Sequence, residues 1–288
     1  MSLRGETGWQ ATHAKAFGKD RWLQLCPALR GAVTHVALVN PFLPEAAQAA
    51  ERAERQLQPH EAIPLVCTSA SGEVTGEAED AEDGLLLPSQ TQSSSVEAAA
   101  GTAGAQGVTA GAQMPLLEPL MPCYFLDGAS ALAALALGAR PGECVLDLCS
   151  APGGKAAMLA SILFAHKEGA DKPGRLVCNE SSRPRAQRLQ RVLSSFLPAE
   201  LMAPGAGRVS VNIADAATGT PPSQIHRLGP YDRVLVDAPC TSDRHLAHQG
   251  KAALAHWASG AVKANAERQL ELLRCAAAVV RRGGVGVF

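Results

Sequence analysis

Aromatic residues make up only 4% of the 288 positions, too few to supply a platform on which successive nucleobases stack. No run of eighteen apolar residues occurs, so no membrane-spanning helix is expected. The N-terminus carries no short apolar stretch of the secretory kind, and the reducing cytosol or an organelle matrix is the expected setting. Eight cysteines are present without a single Cys-x-x-Cys pair, which argues against structural zinc. Cys240, His245, His248 and His256 lie close together but lack a second cysteine and an established ligand spacing, so no metal is expected there. Neither Gly-x4-Gly-Lys-Ser/Thr nor Gly-x-Gly-x-x-Gly occurs, which removes the usual signatures of phosphate-loop and dinucleotide binding.

What is present is unevenly spread. At 47% hydrophobic the chain has enough apolar material for a full core of one or two domains. Its net charge of −1 hides an asymmetry: residues 43–118 carry twelve acids against two arginines, whereas residues 175–288 carry fifteen Lys and Arg against eight acids. A basic C-terminal half fits a polyanionic partner, and it fits a solvated basic face equally well. Three regions are expected. Residues 1–66 form a small N-terminal region with helical pieces such as Glu45 to Gln58. Residues 67–113, rich in Ser, Gly, Ala, Thr and Glu, read as a disordered linker or insertion. Residues 114–288 form a regular domain.

In that last region strands and helices alternate. Asp127 to Ser130 opens a helix through Ala131–Leu137. Cys144–Leu148 reads as a strand, followed by a Gly-rich turn and an Ala-rich helix from about Lys155 to His166. Arg175–Cys178 is a second strand, followed by a helix from Pro184 to Phe196. Arg208–Ile213 and Asp232–Val236 are the third and fourth strands. A long helix over about Val262–Arg282 leads to a fifth, Val285–Phe288, opened by Gly283 and Gly284. The pattern predicts a mostly parallel α/β sheet with ligands at the C-terminal ends of its strands.

Acidic or Gly-rich residues fall at those ends: Asp147 to Lys155, Glu180, Asp215 and Asp237. Gly153 and Gly154 allow close backbone approach to a ligand beside a helix N-terminus. A lone Pro-Gly-Gly turn is more often structural; the downstream acids raise it. Glu180 stands where a carboxylate accepts from a ribose diol, or is a surface acid beside a helix N-terminus. Asp215 suits the exocyclic amine of adenine, or caps a helix. Asp237-Ala-Pro-Cys240 puts a carboxylate and a thiol at one mouth. Cys240 is either a buried structural cysteine or a thiol made reactive by Arg244 and His245. Arg183, Arg185, Arg188 and Arg191 line a helix whose face meets either phosphates or solvent.

Leu146-Asp-Leu-Cys-Ser-Ala-Pro-Gly-Gly-Lys155 together with Val236-Asp-Ala-Pro-Cys240 resembles the Sun/Fmu family of RNA cytosine-5 methyltransferases. The likeness covers about Leu120 to Phe288. Asp237 to His245 and Phe125 to Ser130 look most like its mitochondrial branch, which methylates ribosomal RNA alongside a ribosome-assembly partner. Phe17 to Trp22 and Ala37 to Phe42 carry a weaker likeness. The resemblance implies a Rossmann-like class I methyltransferase sheet that uses S-adenosylmethionine. It implies that Cys149, Ser150, Ala151, Pro152, Gly153, Gly154 and Lys155 cradle the cofactor, that Glu180 holds its ribose with support from Arg185, and that Asp215 binds its adenine. Asp237 then faces both cofactor and cytosine, and Cys240 assists product release, with Asp237 and Lys155 beside it in catalysis. The attacking cysteine is expected about three residues beyond Phe288, so the sheet is expected to break off in its fifth strand. The resemblance also implies RNA as partner and a mitochondrial setting; a cytoplasmic one stays open. Two other readings stay open as well: a non-catalytic RNA-binding or assembly protein, and a small-molecule methyltransferase.

Overall fold

The computed structural model describes residues 3–55, 58–59, 65–67, 119–165 and 173–288. The expected linker lies outside the described residues, Cys67 excepted. Two helices, α1 (Gly5–Phe17) and α2 (Lys19–Leu29), come first, followed by strand β1 (His35–Val39), helix α3 (Glu45–Glu54) and strands β2 (Gln58–Pro59) and β3 (Leu65–Cys67). Strand β4 (Cys123–Asp127) leads straight into α4 (Gly128–Ala136). The alternating part follows: β5 (Cys144–Asp147), α5 (Gly154–Phe164), β6 (Arg175–Asn179), α6 (Arg183–Phe196), β7 (Val209–Asn212), α7 (Ser223–Leu228) and β8 (Tyr231–Leu235). Helices α8 (Asp243–Gln249), α9 (Lys251–Leu254) and α10 (Ser259–Val279) precede the last strand, β9 (Val280–Val287).

Five strands form a sheet in the order β7-β6-β5-β8-β9, every neighbouring pair parallel. Strands buried on both faces read as apolar runs, which is why this sheet was visible in the sequence. Alternate residues feed two cores. Val145, Leu176, Cys178 and Leu235 join one with α4, α5 and α6. Leu146, Val177, Val234 and Val236 join the other with Leu272, Cys275 and Val279 of α10. A second, antiparallel sheet, β2-β3-β1-β4, carries the N-terminal strand. Asn40 pins it down: the buried amide donates to Met121 O at 2.8 Å and to Phe196 O at 2.7 Å, while its oxygen accepts from Phe42 N.

Helices α1 and α2 pack Trp9 and Trp22 against Ala247, Leu254 and Trp257. Backbone bonds from Gly5 N to Trp257 O and from Ser259 N to Leu3 O tie the two ends of that cluster together. Among the described residues, no helix is long and apolar enough to cross a membrane.

Some element ends differ from expectation. Helix α3 stops at Glu54, because Gln58 and Pro59 pair with β3 instead and Pro59 cannot continue a helix. Helix α10 runs over Ser259–Val279 rather than Val262–Arg282, and β9 starts at Val280. Val280 already pairs with Tyr231, Arg281 forms an ion pair with Asp232, and the register with β8 resumes only at Arg233–Val285. Gly283, at φ +73°, and Gly284 absorb the extra residues as a bulge. A Cβ at Gly284 would stand 2.8 Å from Asp232 O and 2.7 Å from Val280 Cγ2. The partner is backbone and has little room to yield. Gly284→Ala is therefore expected to lower stability by about 1–3 kcal/mol, read as a fall in the denaturation midpoint; an unchanged midpoint would show that the bulge tolerates a side chain.

Candidate functional site

The strand order reverses between β5 and β8, and connections leaving such a point in opposite directions open a crevice beyond the strand ends. Four acids stand there. Asp147 ends β5, Glu180 follows β6, Asp215 follows β7 and Asp237 follows β8.

Asp147 is fully buried; no donor meets its oxygens in good hydrogen-bond geometry, although the Ser150 hydroxyl and the Cys149 N–H stand close enough to temper its carboxyl. Burial, reinforced by the nearby Asp237 carboxylate and opposed by the Lys155 ammonium, raises its carboxyl from 3.8 to about 7. Glu180 is buried too. Its Oε1 accepts from Ser182 N at 2.9 Å and from the Ser181 hydroxyl at 3.4 Å. Its Oε2 has no hydrogen bond; Arg185 Nη1 stands 3.6 Å away. Beside it the buried Asn179 amide donates to Leu148 O and Ala214 O, locking the ends of β5, β6 and β7 together.

The turn between β5 and α5 is built from inside. Ser150 donates its hydroxyl to Asp147 O at 2.8 Å, and its N–H to Asn179 O. Arg185 Nη2 donates to Ala151 O at 3.0 Å, which ties α6 to the turn. Pro152 is exposed at the apex between buried Ala151 and Gly153. The glycines face protein. A Cβ at Gly153, which has φ +124°, would meet Val192 and Leu189, and one at Gly154 would stand 2.8 Å from the Tyr124 ring. They let α6 and β4 close on the turn, so their absent side chains serve packing. Cys149 is held as a thiol: burial, then the charges of Asp147, Glu180 and Asp237, push it up to about 12.

Lys155 Nζ donates to Asp237 Oδ2 at 2.8 Å and to Ser130 Oγ at 2.9 Å. Asp237 is exposed at the mouth, and so is Cys240. Asp215 is also exposed; it accepts from Ala217 N at 3.0 Å and from Arg268 Nη2 at 2.8 Å. Arg244 turns away from the thiol, to Asp127 at 3.3 Å and Ala32 O at 3.2 Å. The donor that reaches Cys240 Sγ is Ser242 N at 3.3 Å, so the expected influence of Arg244 is replaced by a backbone amide. Sequence reasoning placed Asp147 in the turn without singling it out, and passed over Asn179, Tyr124 and Arg268 altogether. An acid closing an apolar strand was the available signal for Asp147.

The resulting picture is a crevice with buried, unpaired acceptors at its floor and a lysine–carboxylate pair beside a thiol at its mouth. Residues 134–288 match the family model described as 16S rRNA methyltransferase RsmB/F. The chain belongs to this family. The mouse protein named tRNA (cytosine(34)-C(5))-methyltransferase, mitochondrial, is 37% identical over 169 residues, which are 57% of this chain and 43% of the mouse protein. The bovine 5-cytosine rRNA methyltransferase NSUN4 is 42% identical over 130 residues, 45% of this chain and 30% of the bovine one. The chain thus spans less than half the length of these curated relatives. The solved structure of NSun6 from Pyrococcus horikoshii with SFG superposes with a TM-score of 0.58 at 17% identity, covering 96% of this chain and 80% of that one. At that identity the likeness speaks to fold: the Rossmann-like sheet of class I methyltransferases. The RsmB/F match includes all four acidic strand tips and both glycines of the turn.

In this RsmB/F site Asp147 has a measurable signature. A carboxyl raised from 3.8 to about 7 favours the protonated form in the fold, so its contribution to stability is complete below about pH 4 and falls as pH rises to about 7. Asp147→Asn mimics the protonated state. Thermal melts between pH 4 and 8 are expected to show the variant gaining on the wild type from pH 4 to 7, with a constant offset above. Parallel curves would mean that Asp147 does not titrate there.

Proposed function

We propose that this chain binds S-adenosylmethionine at the tips of β5, β6, β7 and β8 and methylates carbon 5 of cytosine in RNA. The observation that carries this reading is the pair of buried carboxylates with open acceptors, both oxygens of Asp147 and Oε2 of Glu180. A buried acceptor without a donor is costly, and acids at the floor repel phosphate. The group that suits them brings hydroxyls and positive charge and no phosphate: a sulfonium nucleoside. The residues present fit it. When bound, that cofactor supplies an electrophilic methyl group.

Each residue then has a task. Glu180 Oε2 accepts from ribose hydroxyls while Arg185 holds Glu180 and Ala151 in place. Asp215 keeps free lone pairs, beside Arg268, for the adenine amine. The turn from Cys149 to Lys155 shapes the wall; Cys149, a thiol at neutral pH, contributes contact only. Asp237, paired with Lys155, accepts from the cytosine amine, and the Lys155 ammonium compensates charge that builds on the ring. Carbon 5 of cytosine is a poor nucleophile until a thiolate adds to carbon 6. The new S–C6 bond sends the C5=C6 electron pair toward carbon 5, which takes the methyl group. Loss of the carbon-5 proton to a base then restores the double bond and expels the thiolate. We assign Cys240 to that last stage, at the exposed mouth.

Ribosomal RNA is the substrate we favour, in keeping with the family description and with the bovine relative; the mouse relative makes a transfer RNA the comparison substrate. The mitochondrial setting and an assembly partner follow from likeness to the relatives alone, and fractionation with co-purification from mitochondria tests both.

Two measurements bear on the site. Glu180→Ala is expected to weaken S-adenosylmethionine binding about tenfold or more in calorimetry, the loss of about 1.4 kcal/mol for a ribose left without its acceptor; unchanged affinity would remove Glu180 from the site. With the protein expressed from its full gene, Cys240→Ser is expected to trap a protein–RNA adduct that survives a denaturing gel, because addition proceeds and release fails. Loss of methylation without an adduct would make Cys240 the attacking thiol instead.

A further inference from the structure

One carboxylate outside the crevice is surrounded more fully than any in it. Asp243, the first residue of α8, is half-buried and has four polar side chains against its two oxygens, three of them hydrogen-bond donors. Its Oδ1 takes the indole N–H of Trp9 at 3.2 Å and that of Trp257 at 3.1 Å. Its Oδ2 takes Thr241 Oγ1 at 2.9 Å and lies 3.1 Å from His13 Nε2. Three of the four partners are distant in sequence: two on α1, one just before α10. They are themselves fixed, since Trp9 is fully buried and packs edge-on against Trp22 at 5.0 Å, and His13 stacks on Trp22 at 4.7 Å.

What this anchorage holds is the turn from Cys240 to Asp243. Ser242 sits at φ 50°, ψ 42°, and among the described residues it is the only non-glycine with a positive φ. A β-carbon is disfavoured in that region, and such a residue persists only where its surroundings over-determine it. The consequence is local: in this conformation Ser242 N–H points at Cys240 Sγ at 3.3 Å. On the other side Gln269 donates to Pro239 O at 2.8 Å, so the turn is held at both ends.

We propose that Asp243 is a positioning residue for Cys240: clamped by Trp9, His13 and Trp257, its carboxylate holds Thr241 and Ser242 in the left-handed turn that directs the Ser242 amide at the thiol. The N-terminal helices thereby set the reactivity of a sulfur some 230 residues away in sequence, at the mouth of the crevice. The inference rests on the reading that Cys240 works in that site. A carboxylate that merely satisfied the indoles of an aromatic cluster would matter for stability and leave the thiol untouched. The distinction lies in the thiol itself, since an N–H aimed at sulfur fixes where the sulfur stands and which side it presents to an electrophile.

Alkylation of Cys240 by iodoacetamide, followed site by site with mass spectrometry at pH 7.5, reads this directly, with half-buried Cys144 as the check on global opening. Asp243→Asn is expected to slow alkylation of Cys240 at least threefold with Cys144 unchanged. Trp257→Phe, which removes one distal donor and keeps the packing, is expected to slow it in the same direction by less, and it stands in should Asp243→Asn fail to fold. Adding Ser242→Gly, which relieves the penalty of a positive φ, is expected to return at least half of the lost rate in the Asp243→Asn background. A Cys240 rate that does not move in the variants, or a loss that glycine does not restore, overturns the proposal. Methyl transfer plays no part in the readout, so this proposal and the proposed function fail separately.

Discussion

The floor of the crevice carries carboxylate oxygens that no donor of the protein meets in good hydrogen-bond geometry. Asp147 closes the central strand and Glu180 follows its neighbour. Burying such groups opposes folding, and the surrounding structure shows how the cost is contained. Asp147 takes up a proton more readily than an ordinary acid. Glu180 Oε1 accepts from the amide of Ser182, the N-cap residue of α6, and from the Ser181 hydroxyl, and its Oε2 stands 3.6 Å from Arg185. Asn179 fills the space between with hydrogen bonds to two backbone carbonyls, so that the strand ends cannot relax around the unpaired oxygens. A rigid frame around such acceptors leaves little ordering to be done by any group that brings donors to them.

The same frame reaches the N-terminal part of the chain. Asn40, next to β1, donates to Met121 and Phe196, and Tyr124 of β4 lies over Gly154 at the start of α5. The antiparallel sheet is therefore a wall of the turn that shapes the crevice. Helix α1 reaches Asp243 through Trp9 and His13, with Trp22 of α2 packed behind both. Two separate N-terminal elements thus brace two different parts of one site.

The parallel sheet was legible in the sequence, since Val145-Leu146 and Val234-Leu235-Val236 are apolar runs of the kind that strands buried on both faces require. The tips were legible too, because acids and a Gly-rich turn break those runs at their C-terminal ends. Less was visible where long-range contacts decide. The end of α10 looked helical up to Arg282, but pairing with Tyr231 and the Arg281–Asp232 ion pair draw Val280 to Arg282 into β9. That the glycines of the turn also admit α6 and β4 was not visible: Val192, Leu189 and Tyr124 occupy the space their side chains would fill. Arg244 looked like a neighbour of Cys240 because it is four residues away, yet Asp127, 117 positions earlier, takes its charge. Sequence spacing ranks partners by distance along the chain, and ion pairs do not form by that ranking.

Cys149 and Cys240 show how one crevice separates two chemically identical groups. Cys149 lies among Asp147, Glu180 and Asp237 and is largely buried; low polarity and three negative charges act in the same direction, and its thiol is pushed up to about 12. Cys240 follows Asp237 by three residues, but Lys155 neutralises that carboxylate, solvent reaches the sulfur, and a backbone amide points at it. Acids grouped like Asp147, Glu180 and Asp237 oppose ionisation of a thiol placed among them, as they do for Cys149. Cys240 stands outside that group, beyond the one acid of the four that is paired with a lysine.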